Sequence, residues 1–89
     1  QLMLAGTLKL AYILEKEANY ADAASLYGEV GALKEGVVSE YAMLQAGYAY
    51  IADGNVASAD KIVKELLDEK PTGKFLEQVK YLEGKVLEK

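Results

Sequence analysis

The sequence predicts an all-α fold built from antiparallel helix pairs. Residues 8–30 match residues 44–66 after a shift of 36 positions, with identities such as Tyr12 and Tyr48. A period of about 20 to 50 residues is typical of an array built from one supersecondary unit. Within each unit the apolar residues recur every three or four positions, as in an amphipathic helix. The segments between these runs are short, and short connections make neighbouring helices antiparallel.

The first helix pair is predicted at about residues 2–17 and 20–33. Asn19 stands where the second helix begins, so its side-chain oxygen can accept a hydrogen bond from the first free N–H groups. Ala18 must then end the first helix in the left-handed conformation, in which alanine is less comfortable than glycine.

The second pair is predicted at about residues 38–53 and 56–69, although one stretch allows another interpretation. Residues 47–55 read GYAYIADGN, and the alternation of Tyr48 and Tyr50 before Asp-Gly also fits a β-strand that enters a hairpin. A hairpin requires a second strand, but the segment that follows has strong helical periodicity. We therefore expect the Asp-Gly-Asn sequence to join two helices, with its glycine ending one and its asparagine capping the next.

The fifth helix is predicted at about residues 74–88, because Pro71 ends the helix before it. The chain opens with Gln1 and has no basic, apolar leader, so we expect a fragment of a longer protein. No linker interrupts it, which predicts a single domain over residues 1–89. This domain divides into repeat one at 1–36, repeat two at 37–72 and a partial third repeat at 73–89.

Composition argues against several classes of function. The 14 acidic and 10 basic residues give a net charge of −4, and every base is a lysine, which does not suit nucleic-acid binding. Cysteine and histidine are absent, so thiolate metal sites and His-dependent catalysis are excluded. We expect no enzyme activity, cofactor or metal. The longest nearly apolar run, residues 41–52, is well short of the roughly 20 residues that cross a bilayer, so we expect no direct membrane insertion.

The helix pairs resemble tetratricopeptide repeats (TPRs), in which small residues alternate with large ones at the helix contacts. The second unit carries the clearest match, at Met43, Ala46, Gly47, Tyr50, Gly54, Ala59, Val63, Leu66 and Pro71. The first unit keeps Leu10, Ala11, Leu14, Ala23, Tyr27 and Val30. The period of 36 exceeds the usual 34 of that family. The repeats are also similar to those of bacterial membrane-anchored proteins of the YfgM type, which implies the bacterial cell envelope or periplasm as the location.

The TPR resemblance implies a right-handed superhelix in which the first helix of each pair lines a concave, ligand-binding face. On that face we expect an apolar strip formed by Leu8, Tyr12, Tyr41, Leu44, Tyr48, Ile51 and Tyr81. Tyr48 would point toward this groove and Tyr50 into the core. The resulting hypothesis is a non-catalytic scaffold or adaptor that binds an apolar peptide or helix of a partner protein. The alternative is a structural domain that self-associates as a homo-oligomer or packs on the rest of its own chain.

Two other groups of residues have simpler interpretations than a site. Carboxylates such as Glu15 with Glu17 lack the dense oxygen spacing of a calcium loop, so we expect them on solvated helix faces and at helix ends. Gly28 and Gly31 lack the lysine and hydroxyl residue of a phosphate loop, so close helix packing is the expected reason for them.

Overall fold

The computed structural model describes residues 2–34 and 36–88, with side chains from residue 4 onward. The predicted domain limits at residues 1 and 89 lie outside this range. Over the described residues the fold is all-α, with five helices and no strand. They are α1 (Leu2–Lys16), α2 (Tyr20–Ala32), α3 (Val37–Asp53), α4 (Val56–Asp68) and α5 (Gly73–Glu88). The predicted fold class is confirmed, and each helix begins and ends within one residue of its predicted position.

The ends of α1 and α3 have the same backbone geometry, 36 positions apart. Ala18 and Gly54 both take the left-handed conformation, with φ of 64° and 85°. Each helix is closed by one hydrogen bond from this left-handed residue and one from the asparagine that follows, as in a Schellman motif. These bonds are Ala18 N to Glu15 O (3.0 Å), Asn19 N to Leu14 O (2.8 Å), Gly54 N to Ile51 O (3.0 Å) and Asn55 N to Tyr50 O (2.8 Å).

The two asparagines that follow these turns stand at the N-cap positions of α2 and α4, but only one makes the expected bond. The Asn55 side-chain oxygen accepts a hydrogen bond from the Ser58 backbone N–H at 3.2 Å. Asn19 makes no side-chain capping bond, so the prediction for its side chain is wrong. Its backbone carbonyl still accepts the first helical bond, from Ala23 N at 3.0 Å.

Because the two turns share one backbone geometry, Ala18→Gly and Gly54→Ala should have opposite effects on stability. Ala18→Gly should raise the free energy of unfolding by about 1 kcal/mol, because glycine takes a positive φ without the clash of a Cβ atom. Gly54→Ala should lower it by a similar amount for the same reason. Urea unfolding of both variants measures the two changes. If both substitutions changed the free energy of unfolding in the same direction, the positive φ would not be the common cause of the effects at the two turns.

The ends of α2 and α4 also correspond. Lys34 and Lys70 are left-handed, with φ of 56° and 55°, at positions that again differ by 36. Ser39, near the start of α3, donates a buried hydrogen bond from its hydroxyl to the Val30 carbonyl near the end of α2 at 2.8 Å. This bond fixes the entry of α3 against the helix before it.

The helices pack in chain order, and α3 lies at the centre. It contacts α2, α4 and α5, whereas α1 has extensive contact with α2 alone. Alanine supplies much of the interior, and small residues let helix backbones approach closely. The buried alanines are Ala11, Ala23, Ala24, Ala42, Ala46, Ala49 and Ala59.

Two glycines mark the closest helix contacts. A Cβ atom on Gly47 would collide with the Leu82 side chain of α5 and would lie 3.5 Å from Ile62 of α4. A Cβ atom on Gly31 would collide with the Met43 side chain of α3, which agrees with the close packing predicted there. The same prediction is wrong for Gly28, because a Cβ atom on it would meet nothing within 4 Å.

Candidate functional site

An aromatic face, which we define by Tyr12, Tyr41, Tyr48 and Tyr81, extends over α1, α3 and α5. Tyr41 and Tyr48 are seven positions apart and therefore lie on the same side of α3. Tyr12, Tyr41 and Tyr81 are 53%, 52% and 59% exposed. Three large aromatic side chains thus present about half of their surface to solvent on one face of the domain.

Contacts between rings fix the α3 and α5 part of this face. The ring centroids of Tyr48 and Tyr81 lie 6.3 Å apart with an interplanar angle of 52°, within the range of favourable tilted aromatic pairs. Tyr48 is half-buried, and this burial is the main cause that raises the pKa of its hydroxyl. Nearby Tyr81 raises that pKa further, and the positive charge of Lys85 opposes both. The half-buried ring of Tyr48 thus packs against the more exposed ring of Tyr81.

A lysine lies over the exposed ring at each outer helix of the face. The Lys16 ammonium is 5.1 Å from the centroid of the Tyr12 ring on α1. The Lys85 ammonium is 5.3 Å from the centroid of the Tyr81 ring on α5. In both cases the lysine follows its tyrosine by four residues, one helical turn. These cation–π contacts place a positive charge at each side of the aromatic face.

A part-buried hydrogen bond joins α1 to α2 close to Tyr12 and Tyr41 of the face. Tyr27 of α2 is only 3% exposed, and its hydroxyl donates to the Glu15 carboxylate of α1 at 2.9 Å. Burial above all raises the pKa of Tyr27, and the hydrogen bond and negative charge of Glu15 raise it further. Tyr41 and Tyr12 add smaller effects of the same sign, which places both of them near this pair. Glu15 is half-buried and lies one residue before the end of α1, so it stands at a helix end as expected, but it is not fully solvated.

The structure separates the seven residues of the predicted strip into three groups. Tyr12, Tyr41 and Tyr81 are exposed, while Leu8, Tyr48 and Ile51 are half-buried and pack against the core. Leu44 does not belong to any surface, because it is 3% exposed and is part of the core. The physical reason is that α3 contacts three other helices, so little of its circumference is left for a groove.

Tyr50 lies on another side of α3 from Tyr48, but it is not fully interior. It is half-buried and lines an open cleft of about 430 Å³ between α2 and α4. The cleft is open on the α2 side because Gly28 and Ala32 have small side chains or none. It is also lined by Met43, Ser58, Lys61, Ile62 and Glu65. Sequence reasoning missed the cleft. The signal in the sequence was the small size of Gly28, Gly31 and Ala32 on α2. After the shift of 36 positions, these residues correspond to the larger Lys64, Leu67 and Asp68 on α4.

The described residues contain neither a metal-binding cluster nor a helix suited to crossing a membrane. No three Asp or Glu side chains in residues 4–34 and 36–88 come together in a way that could hold a metal ion. No helix within the same part of the chain combines the length and the apolar character of a membrane span. Comparison of the chain with protein-family models, curated proteins and solved structures gives no match.

Proposed function

We propose that this domain is a non-catalytic protein-interaction module that binds an apolar peptide or helix on its aromatic face. The observation that carries the proposal is the exposure of Tyr12, Tyr41 and Tyr81, at 53%, 52% and 59%, on α1, α3 and α5. Large exposed apolar patches on a soluble domain commonly mark interaction sites. Tyrosine is suited to such a site, because it offers a large rigid contact area and a hydroxyl that tolerates water.

The proposed architecture is a TPR-like right-handed superhelix in which α1, α3 and α5 line the binding side. Two observations support it. Backbone hydrogen bonds at the helix ends recur after 36 residues, as expected for repeated units. The helix α3 also contacts α5, as expected if the first helices of successive pairs are neighbours.

The charges beside the aromatic face define the partner more closely. Lys16 and Lys85 lie over the outer rings, and Glu15 of α1 is half-buried and accepts a hydrogen bond from Tyr27. A complementary ligand has apolar or aromatic side chains for the rings and acidic residues toward its ends. The two lysines lie on the outer helices, and no arginine is available, so a single terminal carboxylate would find no bidentate partner.

A displayed library of random peptides, selected against the whole chain, tests this function. Selected peptides should be rich in apolar residues, and we expect Tyr12→Ser, Tyr41→Ser and Tyr81→Ser each to weaken their binding about 30-fold. This factor corresponds to the roughly 2 kcal/mol typical of an interface hot spot. Fluorescence anisotropy of labelled peptides measures the binding. The thermal midpoint should change little, because these side chains are about half exposed.

Leu33→Ser is the matched control, because Leu33 is 55% exposed but caps the end of α2, where it lines a pocket with Leu4, Thr7, Glu29 and Val30 and with none of the four tyrosines. Its peptide binding should equal that of the parent chain. A library that yields no binding peptide would contradict the proposal. Peptides that lose affinity with Leu33→Ser, or only with substitutions at Tyr50 in the cleft, would place the binding site elsewhere.

A further inference from the structure

The outward side of α1 carries apolar residues that no described helix covers. Ala11 and Leu14 face the core, whereas Leu10 and Ile13 are 49% and 42% exposed. A helix that is apolar on all sides is usually buried between neighbours. The exposed side of α5, at the other end of the helix order, is mostly charged or amide-bearing and needs no cover. Its exposed residues are Gly73, Lys74, Glu77, Gln78, Lys80, Tyr81, Leu87 and Glu88.

The exposed side of α1 has charges placed symmetrically about Ile13. Lys9 precedes Ile13 by four residues, Glu17 follows it by four, and both are exposed. Glu17 N donates to Ile13 O at 3.0 Å, so the helical path continues as far as Glu17. Residues four apart form one ridge along a helix, and each step covers about 6 Å of the helix axis. The ridge therefore carries a positive charge, an apolar centre and a negative charge at equal intervals.

This order of charges is complementary to itself when the helix direction is reversed. A two-fold axis through Ile13, perpendicular to α1, places Ile13 of one copy on Ile13 of the other. The same axis places Lys9 of each copy opposite Glu17 of its partner, so that two ion pairs form. A parallel arrangement would bring Lys9 onto Lys9 and Glu17 onto Glu17, which like-charge repulsion disfavours.

We propose that α1 forms an isologous homodimer interface with α1 of a second copy, antiparallel and centred on Ile13. Two-fold interfaces of this kind require a surface that is complementary to itself, which the ridge of Lys9, Ile13 and Glu17 provides. Leu10 extends the apolar centre beside the ridge, and the aliphatic part of Lys16 from the partner copy can cover it. The proposal does not rest on the aromatic face, because none of its four tyrosines belongs to this ridge.

The size of the contact sets the strength of the dimer. One helix of this length buries less than the roughly 800 Å² per partner of a standard protein interface. The dimer should therefore be reversible, with a dissociation constant on the order of 10 to 100 μM. Its ion pairs lie at the edge of the contact and are screened by salt, so the apolar centre should retain some association at high ionic strength.

Sedimentation equilibrium of the whole chain, from about 5 μM to 1 mM, tests the dimer. The mass should rise from the monomer value of 9.7 kDa toward twice that value as the concentration increases. Lys9→Glu and Glu17→Lys should each weaken association at least tenfold, because each replaces two ion pairs by two repulsive contacts. The double variant that exchanges both charges should restore association to within about threefold of the parent chain.

The matched control exchanges charges on the exposed side of α5. Lys80→Glu and Glu77→Lys make the same changes of net charge away from α1 and should leave association unchanged. A parent chain that stays monomeric at 1 mM would overturn the proposal. So would single exchanges on α1 without effect, or a double exchange that fails to restore the dimer. A dimer that is lost with Tyr41→Ser but not with Lys9→Glu would show association through the aromatic face instead.

Discussion

Replacing Leu82 by alanine is expected to lower the free energy of unfolding by about 2 to 5 kcal/mol. Leu82 is fully buried and is one of the largest fully buried side chains in the domain. Its methyl groups pack directly over Gly47, where no side chain of α3 can move into the space that is left. The cavity should therefore stay open, which adds to the lost transfer free energy. In a domain of this size the thermal midpoint should fall by more than about 8 °C.

Leu87→Ala is the control for this experiment. It makes the same substitution in the same helix, but Leu87 is 79% exposed, so its removal should change stability by no more than about 0.5 kcal/mol. Thermal unfolding followed by circular dichroism compares the two variants directly. Equal midpoints for Leu82→Ala and Leu87→Ala would mean that α5 is not packed on α3 as described.

Gly47→Leu should lower the free energy of unfolding by about 1 to 3 kcal/mol through overpacking. The TPR resemblance implied that Gly47 is one of the small residues at a helix contact. The structure shows that the nearer obstacle is Leu82 of α5, with Ile62 of α4 slightly farther away. The substitution should therefore displace α5 first, which urea unfolding would register as a lower midpoint concentration.

The double variant Gly47→Leu with Leu82→Ala tests whether these two residues share one space. The new leucine can occupy the volume that the other has left, so the double variant should be more stable than the sum of the single changes by at least about 1 kcal/mol. Gly28→Ala is the control, since it adds a Cβ atom where nothing lies within 4 Å. Glycine is a poor helix former, so this change should stabilise by about 0.5 to 1 kcal/mol. Additive effects at Gly47 and Leu82 would contradict the contact.

The helices could be predicted because the signals that set their ends are local. Gly54 and Asn55 determine the turn between α3 and α4 through their own backbone and side-chain preferences. Because residues 36 positions apart correspond, the same turn could be predicted at Ala18. The alanine by itself would not have indicated a turn. The helix-like interpretation of the GYAYIADGN stretch followed from the periodicity of its neighbour, and α3 and α4 confirm it.

The candidate site could be predicted only in part, because burial depends on which helices surround a residue. Tyr12, Tyr41 and Tyr81 are exposed as the helical phase suggested. Leu44 has nearly the same phase as Tyr48 and Tyr41, but α3 is enclosed by three helices and Leu44 lies in the core. The periodicity of one helix shows on which side of that helix a residue lies. It does not show whether another helix packs on that side.

The hydrogen bond of Tyr27 with Glu15 could not be predicted for a related reason. It joins residues 12 positions apart across the turn between α1 and α2. Its geometry depends on the rotation of both helices about their axes. In the sequence Glu15 is followed by Lys16 and Glu17, and such a charged run at the end of a helix is found on many solvated faces.

Because α3 lies at the centre of the domain, the free energy needed to detach a helix from the rest differs along the chain. Undocking α1 exposes one helix contact, whereas releasing α3 breaks contacts with α2, α4 and α5 together. Elements with few neighbours open locally at low free energy, while an element enclosed by several others opens only with the whole domain. The amide protons of α3 should therefore exchange with solvent only through global unfolding. Those of α1 should exchange through local opening of that helix. Association through α1 would slow exchange most in the helix that is otherwise least protected.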